Sequence, residues 1–128
     1  MTVVLDAGGV SSLAGNRARQ EALLRAGMWP PVVPVVVLVE ALTGDHRRDF
    51  ATNRLLALSR VVSIDEHTSR EAARLRTATG RVGSISATDA LVAAIATQQR
   101  DPVVVTSDPD DLTALLANAF VSVRVAKA

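Results

Sequence analysis

A three-layer α/β/α fold with a mainly parallel central sheet is predicted from three observations. Short β-rich apolar runs alternate with amphipathic helical stretches along the chain, the order that builds βαβ units. Several of these runs, TVVL and PVVV among them, show no polar alternation, as strands covered on both faces do. The composition is 48% apolar but only 2% aromatic, so Val, Leu, Ala and Ile must make the core. The chain has 128 residues, the usual size of one domain, and residues 1–128 are assigned to a single one.

The elements follow in order. Thr2 to Leu5 is a buried strand ending at Asp6, with Gly8 and Gly9 after it. From Arg17 to Ala26 the residues Ala18, Ala22, Leu23 and Ala26 fall at helical spacing, predicting a helix with one buried stripe that Gly27 stops. In WPPVVPVVVLVEALTG, Val32 and Val33 are a brief strand, and Pro34 fits the first turn of a helix running to Thr43. HRRDFATNRLLALS is a second amphipathic helix, RVVSI a strand, and SREAARLRTATG a helix closed by Gly80. RVGSI is loop. SATDALVAAIATQQ is a helix capped by Ser86, PVVVTS a buried strand, and DPDDLTALLAN a further helix. In FVSVRV, Val121, Val123 and Val125 alternate with Ser122 and Arg124, as in a strand at a sheet edge.

Bulk properties exclude several classes. With 14 basic and 13 acidic side chains the net charge is +1, so no global field draws the surface to nucleic acid or membrane, and such binding must be local. Cysteine is absent, which removes disulfide frameworks and thiolate metal sites. MTVVLDAGG lacks the basic start of a signal peptide, and no apolar run approaches the ~20 residues of a membrane span. The expectation is a soluble, cytoplasmic protein.

In open parallel sheets, ligands collect beyond the carboxyl ends of the strands. Asp6 and Asp108 both sit at such ends. If their strands are neighbours, the carboxylates converge, and two like charges about 4 Å apart repel by roughly 4 kcal/mol at an effective dielectric near 20. A cation or a shared proton offsets that. Glu40 interrupts an apolar helix, where an unpaired carboxylate is costly, and Asp89 opens the helix after Ser86. Four carboxylates without a thiolate describe a hard-cation site suited to Mg²⁺ or Mn²⁺.

These residues resemble the PIN-domain ribonucleases, and among them the VapC-type toxins of bacterial toxin-antitoxin pairs. The likeness rests on VVLDAGG, PVVVLVEAL, ATDALVAAIA and VVTSDPDDL, in the family's order and over nearly the whole chain. It implies that Asp6, Glu40, Asp89 and Asp108 form the metal-binding, catalytic acidic cluster, with Asp111 a further candidate ligand. It further implies cleavage of RNA through bound Mg²⁺ or Mn²⁺, a small antitoxin as partner, and a homodimer. The pattern also departs from the family, because a hydroxyl residue commonly follows the first aspartate and another precedes the glutamate. Here Ala7 and the pair Val36 and Val37 stand in those places, which removes polar support from the cluster.

Other roles remain open for the same residues. Ser86 and Asp89 form S-x-x-D, an acidic variant of a capping box, and Asp108 or Asp110 could cap the helix whose first turn holds Pro109. Arg47 and Arg48 in HRRD could grip phosphate or simply be solvated. Thirteen arginines against one lysine favour bidentate phosphate contacts. His46 and His67 are too separated for a metal pair, and Trp29 could cover a core edge or a partner surface. A receiver domain would need a lysine in the acidic pocket, yet the only lysine is Lys127; a haloacid-dehalogenase-like phosphatase needs an aspartate where Gly8 stands. The alternative of another class is a PIN fold that binds RNA or a partner without cutting.

Overall fold

The computed structural model describes all residues, 1–128. Five strands, β1 (Thr2–Leu5), β2 (Val32–Pro34), β3 (Arg60–Val62), β4 (Pro102–Thr106) and β5 (Arg124–Lys127), form one sheet in the order β3-β2-β1-β4-β5. Every neighbouring pair is parallel. The helices are α1 (Ala7–Leu13), α2 (Arg17–Arg25), α3 (Val37–Ala41), α4 (Phe50–Leu58), α5 (Glu66–Ala78), α6 (Ala87–Thr97) and α7 (Pro109–Leu116). The contacts divide them into two layers, α1 meeting α2, α3 and α4, while α5, α6 and α7 meet one another. The predicted three-layer parallel fold is therefore the observed one.

Burial explains the composition. Twenty-three buried apolar residues form one cluster made only of Val, Leu, Ala and Ile, among them Val3, Val4 and Leu5 of β1 and Val92 to Ala96 of α6. Both phenylalanines stay outside it, exposed at Phe50 and Phe120. Trp29 packs against the core edge, the first of its two predicted roles. No helix is long and apolar enough to cross a membrane.

Local chemistry moves several boundaries. Helix α1 is absent from the sequence reading because AGGVSSL contains two glycines and two serines, all weak in a helix interior. Asp6 starts it as N-cap, its carboxylate accepting from the Gly9 N–H at 2.8 Å. Both glycines are required by close approach. A Cβ at Gly8 would fall on the Ser107 side chain, and one at Gly9 on the Val105 carbonyl oxygen of β4. Pro34 belongs to β2 rather than to the next helix, which begins at Val37. The predicted buried stripe of α2 is also corrected, since no residue of that helix is buried and Leu24 is 61% exposed. The last strand lies later than FVSVRV suggests. Phe120 and Val121 are exposed, and pairing to β4 starts at Arg124 opposite Val103.

Candidate metal centre

The chain direction along the sheet reverses at β1: β2 and β3 lie on one side, β4 and β5 on the other. That makes the carboxyl edge of β1 and β4 the topological switch point, where the flanking connections part and leave a crevice. The two strands run in register, Val3 opposite Val103 and Leu5 opposite Val105, so Asp6 and the segment Thr106 to Asp108 leave the sheet side by side.

Asp6 is buried, with both carboxylate oxygens engaged. One accepts from Gly9, and the other accepts from the Thr106 hydroxyl. The Thr106 oxygen in turn accepts the Asp108 N–H at 2.9 Å. A single buried hydroxyl thus links the end of β1 to the turn after β4. This tie compensates part of what Ala7, Val36 and Val37 leave out: polar support for the first aspartate comes from the neighbouring strand. Its sequence signal was the Thr that ends VVVT, which only the β1–β4 pairing gives meaning.

Oxygens of Asp89, Asp108 and Asp111 lie within 4.8 Å of one another. Helix α6 brings Asp89, and the start of α7 brings the other two. Ser86 caps α6 by accepting the Asp89 N–H at 3.0 Å, so the capping role belongs to Ser86 and leaves the Asp89 carboxylate to the crevice. Asp108 occupies the N-cap position of α7, with Pro109 following, yet its side chain makes no capping hydrogen bond. Asp110 is exposed in the first turn of α7, where its charge complements the helix dipole.

Electrostatic strain marks the group. Burial, then the charge of Asp6, and then those of Asp108 and Asp111 push Asp89 from an ordinary 3.8 to about 6, against the opposing hydrogen bond of Ser86. Asp108 also lies above the usual carboxylate range. Although the residue as a whole is exposed, its carboxyl end loses hydration, and the adjoining carboxyl and charge of Asp111 add to the rise. Asp111 has a counter-ion: Arg81 Nη2 donates to its Oδ1 at 2.6 Å. Thirty residues separate that pair, beyond the reach of any local sequence signal. An all-oxygen set of three carboxylates that repel one another fits a hard divalent cation.

The remaining predicted residues are not part of this trio. Glu40 is outside the trio and solvent-exposed, which overturns the expectation of a costly buried carboxylate: the one-turn helix α3 gives Val37 to the core and leaves Glu40 in water. Arg47 and Arg48 sit on an exposed turn, their N–H groups held by Asp45 at 2.9 and 3.1 Å. The turn is anchored by buried Asp49, whose carboxylate accepts from the N–H groups of Thr43 and Gly44 and from the Thr43 hydroxyl. His46 and His67 are both exposed, and neither joins the acidic trio.

Residues 3–115 match the PIN domain family. Among solved structures, the chain is similar to the DNA-bound VapBC from Salmonella typhimurium, at 19% identity, with 99% of this chain and 98% of that chain covered and a TM-score of 0.64. It is similar also to VapBC-5 from Mycobacterium tuberculosis, a member of the VapBC family of toxin-antitoxin systems, at 28% identity, 99% and 98% coverage and a TM-score of 0.63. Comparison with curated proteins finds no match. With the family's pattern matched over most of its length, the parallel sheet in place and the strand-end acids gathered at the switch point, the chain belongs to the PIN domain family.

Proposed function

We propose that the chain is a metal-dependent endoribonuclease, the toxin of a toxin-antitoxin pair, with Asp89, Asp108 and Asp111 as metal ligands and Asp6 behind them. The observation that carries this reading is the convergence of three carboxylates within 4.8 Å at the switch point of a PIN-family sheet. RNA as the substrate class follows from the resemblance to PIN-domain ribonucleases, and the similarity to VapBC structures supports the toxin assignment and the antitoxin partner.

Asp89, Asp108 and Asp111 would hold the Mg²⁺ or Mn²⁺ ion, which when bound lowers the pKa of a water and offsets charge on the phosphate. Asp6 is held by Gly9 and Thr106, and its charge acts on Asp89 from beneath. Thr106 fixes the distance between the two strand ends by bonding both Asp6 and the Asp108 backbone. No side chain need be the nucleophile. Glu40, in solvent on α3, enters the acidic set by resemblance alone. Arg47 and Arg48 present two guanidinium groups suited to phosphate on the turn that Asp45 and Asp49 hold.

Thermal melts test the site by the sign of the effect. Asp89→Asn and Asp108→Asn each remove a repelling charge, so the metal-free variants should be more stable than the wild type by about 1 kcal/mol. Mn²⁺ should raise the melting temperature of the wild type, because a ligand bound only by the folded state stabilises it, and should do so less in either variant. Cleavage of a pool of structured RNAs should require the metal and vanish in both. A wild type indifferent to Mn²⁺, with variants no more stable in chelator, would overturn the site. Metal binding without cleavage would leave a PIN-fold binding module.

A further inference from the structure

We infer that Arg81 is an internal counter-ion of the acidic trio, occupying Asp111 in the metal-free chain and yielding it when a divalent cation binds. This rests on the metal-site reading above and concerns what sets the affinity of that site. Among the ion pairs of the molecule, only Arg81–Asp111 involves the trio; Asp89 and Asp108 have no cationic partner. One of three crowded carboxylates is therefore neutralised from within.

The backbone fixes the root of that side chain. Gly80, at φ 68°, turns the chain out of the end of α5 into the loop 81–85. The Arg81 N–H donates to the Thr79 hydroxyl at 3.0 Å, and its carbonyl accepts from Ser84 at 2.9 Å and Ile85 at 3.0 Å. Ile85 is itself buried, which pins the far end of the loop. The side chain is free by comparison. Arg81 is 45% exposed while Asp111 beneath it is only 15% exposed, so the guanidinium covers the carboxylate from the solvent side. It can swing away without breaking any of the backbone bonds that hold the loop.

A cation reaching oxygens of all three carboxylates would meet a guanidinium already bonded to one of them. Two positive charges at such separations repel, and Asp111 has to exchange one for the other. Arg81 thereby lowers the affinity for metal, while protecting the empty trio from its own repulsion. Once released, its planar fork of donors would be available to a phosphate group.

The test measures Mn²⁺ binding to the full chain by calorimetry for wild type, Arg81→Gln and Arg81→Lys, with melts in chelator. Arg81→Gln should bind Mn²⁺ roughly tenfold more tightly. It should also melt lower than the wild type in chelator and gain more from the metal. Arg81→Lys, which keeps the charge, should bind within about twofold of wild type. A merely structural arginine would lower stability without tightening the metal, and equal or weaker Mn²⁺ binding by Arg81→Gln overturns the inference. A wild type that binds no Mn²⁺ overturns the metal site itself and this inference with it. Should Arg81→Gln fail to fold, the wild type decides: the Arg81 Nε–H NMR resonance should shift on Mg²⁺ saturation, and an unmoved resonance refutes the exchange.

Discussion

Asp89 makes the acidic group measurable by pH. Its folded pKa of about 6 exceeds the ordinary 3.8, so between about pH 4 and 6 the folded chain binds more protons than the unfolded one. In chelator, the contribution of Asp89 should therefore be complete only below about pH 4 and be lost between pH 4 and 6, by an amount on the order of 2 kcal/mol after allowance for its partial exposure. Asp49 and Asp65 act in the opposite sense and at lower pH. The Thr43 and Thr68 backbone N–H groups hold them below the ordinary range, so their contribution disappears only as pH falls beneath it. Asp89→Asn should flatten the decline between pH 4 and 6, as denaturant titrations at several pH values would show; an unchanged decline would place its cause elsewhere. Thr106→Val is the complementary test. It keeps the shape but leaves a buried Asp6 oxygen and the Asp108 N–H without their partner, which should cost about 1–3 kcal/mol and weaken Mn²⁺ binding together. At this scale the strand-end acids were legible, because a carboxylate after an apolar run has a local signature. Thr106 and Arg81 were not, because Thr106 acts through a residue 100 positions away and Arg81 through one 30 positions away.

Among the elements, those legible in the sequence were the ones whose apolar spacing is set by burial, such as α6 with its six buried residues and β4 with Val104 at its centre. Helix α1 was hidden for a physical reason: its glycines oppose helix propensity and are kept by contact with β4. That gives a sharp expectation. Alanine usually strengthens a helix, yet Gly9→Ala should destabilise the chain by about 1–3 kcal/mol, since its methyl meets the Val105 carbonyl oxygen of the central sheet rather than a movable side chain. Chemical denaturation would reveal it, and a stabilised variant would mean that α1 can shift away from β4. Helix α2 fails in the other direction, having helical spacing without a buried residue. Propensity and its Asn16 cap, accepting from Arg19 at 3.1 Å, hold it more than packing does. Its amides should be among the fastest helical amides to exchange with deuterium, and protection equal to that of α6 would contradict this account.

For the whole molecule, the sheet order explains why acids far apart in sequence meet, and the outer surface bears on what the chain meets in turn. Between α2 and α4 lies a cavity of about 390 Å³ lined by Arg17, Gln20, Phe50, Arg54 and Leu58 among others. Phe50 is 61% and Leu58 55% exposed there, and the Arg54 guanidinium lies 5.7 Å from the Phe50 ring centroid. Large apolar side chains beside arginines suit a partner segment that is apolar on one face and acidic at its edge. On the toxin reading that segment belongs to the antitoxin, whose existence sequence could suggest only through family resemblance. Expression with the neighbouring reading frame should give a complex that purifies as one species. Phe50→Asp and Leu58→Asp, together, should reduce its recovery at least tenfold while leaving the Mn²⁺-induced rise in melting temperature intact, because both side chains lie in water, outside the acidic trio. Recovery of a free chain alone from the wild-type pair would count against the toxin assignment. Undiminished capture by the double variant, with the wild-type complex formed, would move the antitoxin to another face and leave the metal centre untouched.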